Sequence, residues 1–168
     1  MKILTITLLL LAAVCNAQNP YAALSCDSVV IVDYGNMQTE DTNIEKYSNG
    51  YRFMHIPSKA KTLTKGETDE LIERIGKKSS YGVEHATCYM PHLAVMFMKN
   101  GYAVEYVEVC TECNRLVSSL ELEATKQGPT DVGEGQVYYL NSGLSNDFRK
   151  FLGEILTKYK FSHVPTGK

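Results

Sequence analysis

The chain has no tryptophan and no run of lysines and arginines anywhere in its 168 residues. A protein that tracks a phosphate backbone carries a basic stripe, so nucleic acid is excluded as an expected partner. Beyond the N-terminus no apolar run approaches the roughly 20 residues needed to cross a bilayer, and no membrane span is expected. Gly-x-Ser-x-Gly, His-Glu-x-x-His, the phosphate-binding loop and the dinucleotide fingerprint are all missing. Without any of these signatures, a non-enzymatic domain is the first expectation, with no cofactor. Internal repeats and low-complexity segments are absent too. The eleven tyrosines stand in for tryptophan as core and edge packing.

What is present begins with an address. Met1-Lys2 supplies one positive charge, Ile3 to Val14 are mostly apolar, and Cys15-Asn16-Ala17 offers small residues before the polar Gln18-Asn19-Pro20. This is the order of a secretory signal peptide, residues 1–17, removed on export. Export to the periplasm or the exterior is therefore expected. Leu11-Ala12-Ala13-Val14-Cys15 also resembles a bacterial lipoprotein box, in which Cys15 carries the lipid. Val14 sits where such boxes have Gly, Ala or Ser, so lipid anchoring at Cys15 is the alternative and the sole expected route to a membrane. About 150 residues remain, the size of one domain, with a small acidic excess. They divide into a flexible lead-in over 18–27 and a single α+β domain over 28–168.

Within that domain, Ser28 to Tyr34 is a β-branched run and reads as a strand. Asn49-Gly50 and Asn100-Gly101 are each flanked by apolar stretches, the signal of a two-residue hairpin. A turn at 100–101 pairs Phe97 with Val104 and Val95 with Tyr106. The same register extended brings Cys88 opposite Cys113, and Pro91 opposite Cys110. Thr64-Lys65-Gly66-Glu67 has the spacing of a capping box. Leu71, Ile72 and Ile75 then mark one helix face, with Gly76 at its end. Leu116 to Thr125 alternates like a half-buried strand, and Glu105, Glu108, Glu121 and Glu123 read as a solvated sheet face. Gln136 to Leu140 suggests one more strand. Phe148, Phe151, Leu152, Ile155, Leu156 and Tyr159 fall at helical spacing, with Ser145 or Asn146 as cap. The fold class expected is α+β: an antiparallel sheet built from hairpins, with this C-terminal amphipathic helix packed on one face.

Four cysteines remain after the signal is removed: Cys26, Cys88, Cys110 and Cys113. An even number in an exported domain is read first as disulfides, and four cysteines allow three full pairings. A bridge from Cys88 to Cys110 or Cys113 would staple the base of the hairpin. Cys110-Thr-Glu-Cys113 also has the spacing of a redox pair, although Glu112 adds negative charge where a thiolate wants positive. Cys88, His92, Cys110 and Cys113 together make a Cys3His set that zinc accepts. His55, His85 and His163 lie in no catalytic pattern and read as surface residues.

The block Cys88-Tyr-Met-Pro-His92, an apolar strand, Lys-Asn-Gly, a second strand and Val-Cys110-Thr-Glu-Cys113 resembles a family of small exported proteins of Gram-negative bacteria. Their pattern is Cys-x-x-Pro-(Arg/His), a hairpin and a closing Cys-x-x-Cys. The resemblance covers about residues 86–118. It implies that Cys88, Pro91, His92, Cys110 and Cys113 act as one local unit, and it implies no activity. The expected function is an exported binding domain for another protein, of inhibitor or immunity type, with a cysteine-stapled hairpin. The alternative is a thiol–disulfide or zinc-binding protein using the Cys88, His92, Cys110 and Cys113 cluster.

Overall fold

A computed structural model describes residues 19–34, 44–53, 57–128, 130–131 and 137–165. The expected signal peptide, with Cys15, and His55 lie outside the described residues. The main strands are β1 (Ser28–Asp33), β2 (Ile44–Tyr47), β3 (Gly50–Phe53), β4 (Lys59–Thr62), β6 (Leu93–Lys99), β7 (Tyr102–Cys110) and β8 (Arg115–Ser118). They form one sheet in the order β2-β3-β7-β6-β1-β4, every pairing antiparallel. The free edge of β7 is shared: its first residues pair with β3 and its last with β8. Short pairs are made by β5 (Tyr81–Val83) with β11 (Gly143–Leu144), and by β9 (Thr130–Asp131) with β10 (Val137–Tyr138).

Helices α1 (Lys65–Gly76) and α2 (Asn146–Lys158) lie on the same face of the sheet. Leu71 and Ile75 from α1, with Phe148, Phe151, Leu152, Ile155 and Leu156 from α2, bury against Val29, Ile31, Leu93, Val95, Phe97, Val107 and Val109. The sheet is therefore the α+β arrangement expected, with the C-terminal amphipathic helix on one face. Among the described residues no helix is long and apolar enough to cross a membrane.

Local chemistry explains most boundaries. Thr64 caps α1 and forms the full capping box with Glu67. Ser145 caps α2, its side chain accepting from the Phe148 amide. The β6–β7 turn is Asn100-Gly101, both at positive φ (51° and 81°), as a type I′ turn demands.

Four details depart from the sequence reading. The β2–β3 turn is Ser48-Asn49, one residue earlier than expected, because Tyr47 pairs with Gly50. Gly50 is the first strand residue, at φ +134°, and a Cβ there would sit 2.3 Å from the Ala103 carbonyl oxygen. Close approach to β7 is what requires this glycine. In the long hairpin, Lys99–Tyr102 and Met98–Ala103 keep the expected register, but a bulge then shifts it, so Phe97 faces Glu105 and Val95 faces Val107. The extra residue resets the alternation: Ala103 and Tyr106 end on one face, Val107 and Val109 on the helix face.

The third departure is the lead-in, which is moored. Tyr21 is 1% exposed and stacks on Phe97 with ring centroids 4.4 Å apart. Its hydroxyl donates to the Tyr106 carbonyl at 2.7 Å. Asn19 donates to the Ile72 carbonyl and fills the space where a Cβ on Gly76 would stand, so Gly76 ends α1 for packing rather than for a left-handed cap. Finally, the strand expected over 116–125 stops at Ser118. The Ser118 and Ser119 hydroxyls there bond to the Leu120 and Tyr106 carbonyls, and a 3₁₀ turn at Glu123–Thr125 follows, burying Leu122 and Ala124.

Candidate functional site

Strand β7 ends at Cys110, and the four-residue turn to β8 carries Cys113 and Asn114, the latter at φ 53°. The turn is knitted to the segment after β5. The Ala86 amide donates to the Cys113 carbonyl at 2.9 Å, and Asn114 Nδ2 donates to the carbonyls of Glu84 and Leu144. This brings Cys88 Sγ to 2.9 Å from Cys113 Sγ. The Cys113 amide in turn donates to Cys110 Sγ at 3.2 Å. Three sulfurs thus share one end of the sheet, with Cys113 as the common member.

Their surroundings differ. Cys110 is 0% exposed and Cys113 3% exposed, while Cys88 is open to solvent. Burial, followed by hydrogen bonds with the Cys110 and Cys88 thiols, pushes the Cys113 thiol up to about 12, because a thiolate there would lose its hydration. Among the described residues the four cysteines, Cys26, Cys88, Cys110 and Cys113, are free thiols. The approach of Cys88 to Cys113 matches the sequence reading, although the route is the turn and not an extension of the hairpin ladder.

Cys26 does not join them. The Asp27 amide donates to the Met98 carbonyl, and Asp27 Oδ2 accepts from the Asn100 amide, which places Cys26 beside the hairpin tip. The cluster lies at the other end of the nine-residue β7, about 25 Å away at the usual rise per residue. A bridge from Cys26 to the cluster exceeds the Cα separation a disulfide spans, so two full disulfides are not available to this fold. Burial, then the Asp27 charge, raises the Cys26 thiol pKa.

His92 turns elsewhere as well. Its ring stacks on His163, with centroids 4.0 Å apart and planes within 9°, and His163 Nδ1 stands 3.3 Å from Asp33 Oδ1. The Ser162 amide donates to the other Asp33 oxygen at 3.0 Å. His163, read from sequence as a surface residue, is part of a clasp holding the chain after α2 to the end of β1. Among the described residues no group of three or more His, Cys, Asp or Glu side chains is arranged to hold a metal ion. His85 is engaged with the neighbouring Ala86 carbonyl.

The face of the sheet opposite the helices holds what the sequence conceals. Glu108, expected on a solvated face, is 0% exposed and accepts a hydrogen bond from the Tyr34 hydroxyl at 2.8 Å. Burial and then the Glu108 carboxyl raise the pKa of Tyr34, and the same two causes raise that of Tyr89. Arg115 covers the Tyr89 ring at 5.1 Å. Beyond this buried group, Val30, Val32, Tyr51, Phe53, Met96, Met98 and Ala103 floor an open groove of about 600 Å³. At its rim Arg52 lies over the exposed rings of Tyr47 and Tyr102, at 5.0 and 6.0 Å. Alternation would reveal this second apolar face if the bulge in β7 carried a sequence signal.

Compared with known proteins, the chain matches no protein-family model, no curated protein and no solved structure at a significant level.

Proposed function

We propose that this chain is an exported, non-enzymatic interaction domain, a periplasmic inhibitor or immunity-type protein, that receives another protein on the open face of its sheet. One observation carries the reading: the groove opposite the helices is apolar along its floor and rimmed by Arg52, Tyr47 and Tyr102. Methionine, tyrosine and arginine are enriched at protein interfaces and at their energetic centres. The rim and edge strands also carry Lys46, Arg52, Lys59 and Lys61, so the fitting partner presents an apolar centre bordered by carboxylates. In an oxidising compartment the free thiols of Cys88 and Cys113, 2.9 Å apart, close into the disulfide staple of this domain, tying the segment 84–92 to the β7–β8 turn. The resemblance of the cysteine block to small exported Gram-negative proteins supports the compartment.

The test is site-specific photocrosslinking in the native cell. A photoreactive side chain at Tyr102 should capture one discrete protein, while the same group at the exposed Lys150 of α2 should not. Arg52→Glu should abolish the capture. Equal labelling from both positions, or indifference to Arg52→Glu, overturns the reading. Purified partner and domain should then be mixed, with loss of the partner's activity as the expected result. N-terminal sequencing checks export: a chain starting at Gln18 supports soluble export, and a lipidated Cys15 supports anchoring.

The second reading is a thiol–disulfide or zinc protein, and the convergence of three sulfurs favours its thiol–disulfide form. Native mass spectrometry separates the two forms, since a zinc ion adds its mass under native conditions and leaves on denaturation.

A further inference from the structure

The staple has a neighbour that its role does not explain. A structural disulfide between Cys88 and Cys113 uses two thiols, yet Cys110 contacts the same Cys113 through its amide at 3.2 Å and is fully buried beside it. Nothing in the packing of a plain staple calls for a third sulfur. We propose that Cys88, Cys110 and Cys113 form a disulfide relay, in which Cys113 is bonded alternately to Cys88 and to Cys110, and exposed Cys88 exchanges with small-molecule or protein thiols and disulfides. The proposal rests on the staple reading, because Cys88–Cys113 is one of its two positions.

Each step conserves atoms and electrons. The Cys88 thiolate attacks an outside disulfide, forming a mixed disulfide and releasing one thiol. Cys113 Sγ attacks Cys88 Sγ, the second outside thiol leaves with the Cys113 proton, and the Cys88–Cys113 bond is made. The outside disulfide has taken two electrons and become two thiols. Cys110 then attacks Cys113 Sγ. The S110–S113 bond forms, the S88–S113 bond breaks, and the proton given up by Cys110 ends on the departing Cys88 sulfur. This last step is an exchange with no net redox change.

Geometry assigns the roles. Cys88 is the exposed thiol, so it meets the outside partner. Cys113 touches both other sulfurs and is bonded in both positions. Its thiol is pushed up by burial, and a poor leaving group suits the sulfur that is never released. Cys110 is sealed from solvent and reaches out only through Cys113. The outcome is an oxidised chain that still presents a thiol at position 88.

Trypsin separates the two positions cleanly. Cys88 falls in the peptide 79–99, and Cys110 and Cys113 fall together in 100–115. The purified chain is oxidised with oxidised glutathione, treated with excess N-ethylmaleimide at neutral pH, quenched in acid and digested. The relay predicts label on Cys88 and a peptide 100–115 that is two hydrogens light. In Cys110→Ser the relay cannot move, so the cross-linked pair 79–99/100–115 persists and Cys88 stays unlabelled. Cys88→Ser should slow oxidation of the 110–113 pair sharply, having lost the exposed thiol. Wild type that keeps the cross-linked pair, with Cys88 as protected as in Cys110→Ser, overturns the relay and leaves the staple standing. A 110–113 bond that forms equally fast in Cys88→Ser also overturns it. Absence of either bridge in every chain overturns relay and staple together. Cys110 is buried, so Cys110→Ala and a thermal melt of each variant confirm folding, and the wild-type arm needs no variant.

Discussion

Glu67 is the point at which both helices are tied, and replacing it with glutamine isolates its charge. Its carboxylate accepts from the Thr64 amide at 2.8 Å in the capping box, from Lys158 Nζ at 2.7 Å and from the Tyr159 hydroxyl at 2.8 Å. The last two come from the end of α2. Burial pulls the carboxyl upward, but hydrogen bonds from Lys158, Thr64 and Tyr159 outweigh it and hold the group at about 2. Glutamine keeps the size and one acceptor, so in Glu67→Gln the capping box survives in part. What disappears is the negative charge at a helix N-terminus, worth about 0.5 kcal/mol, and the charged character of the bonds to α2, worth roughly another 1 kcal/mol in this solvent-screened position. The loss of about 1.5 kcal/mol corresponds to a melting temperature lower by roughly 3–6 °C for a domain of this size. A carboxyl held below its ordinary 4.5 stabilises the fold above that pH, and the contribution drains away as pH falls towards about 2. Urea unfolding of wild type and Glu67→Gln should therefore show a gap at pH 7 that narrows steadily below pH 4.5. A gap that is equally wide at about pH 7 and about pH 3 refutes the assignment of charge as the cause.

Further outcomes follow from other contacts. Gly50→Ala should destabilise by about 2–3 kcal/mol, from the positive φ and the collision with the Ala103 oxygen, seen as a lower urea midpoint. Tyr34→Phe, which removes a donor to buried Glu108, should cost about 2 kcal/mol in the same assay. Tyr21→Ala should cost about 3–5 kcal/mol, which a loose lead-in would not. Oxidised wild type should be two hydrogens lighter than the reduced chain rather than four. Cys88→Ser should forfeit up to about 3 kcal/mol of disulfide stabilisation in a thermal melt under oxidising conditions.

The parts of the fold visible in sequence are those set by neighbours a few residues apart. Thr64 and Glu67 announce α1, Asn100-Gly101 announces its turn, and the spacing from Phe148 to Leu156 announces the buried face of α2. Each depends on short-range geometry. What the sequence hides depends on contacts between distant segments. Nothing in Val104-Glu105 marks a bulge, so the expected pairing of β6 with β7 slips by one beyond Ala103, and Glu108 reads as solvated. Gly50 looks like a turn residue because its partner, the Ala103 carbonyl, belongs to a strand far along the chain. At the site, Cys88 and Cys113 are legible as a pair. Cys26 is separated from them by the length of β7, and His92 leaves the cysteines for His163, a residue with no local signal at all.

The bulge in β7 also makes the strand sensitive to its own length. A strand has two reading frames, odd residues to one face and even to the other, and β7 changes frame once along its course. Before the shift Ala103 addresses the face opposite the helices; after it Tyr106 and buried Glu108 do, while Val107 and Val109 address the helices. Deleting one residue at 104–105 would only remove the bulge and leave these faces as they are, whereas inserting one further residue there would put the second half into the opposite frame, turning Glu108 towards the helix core and Val107 and Val109 out of it. A single-residue insertion here would exchange the two faces of the strand that leads into Cys110, so the length of β7 matters to this protein as much as its composition.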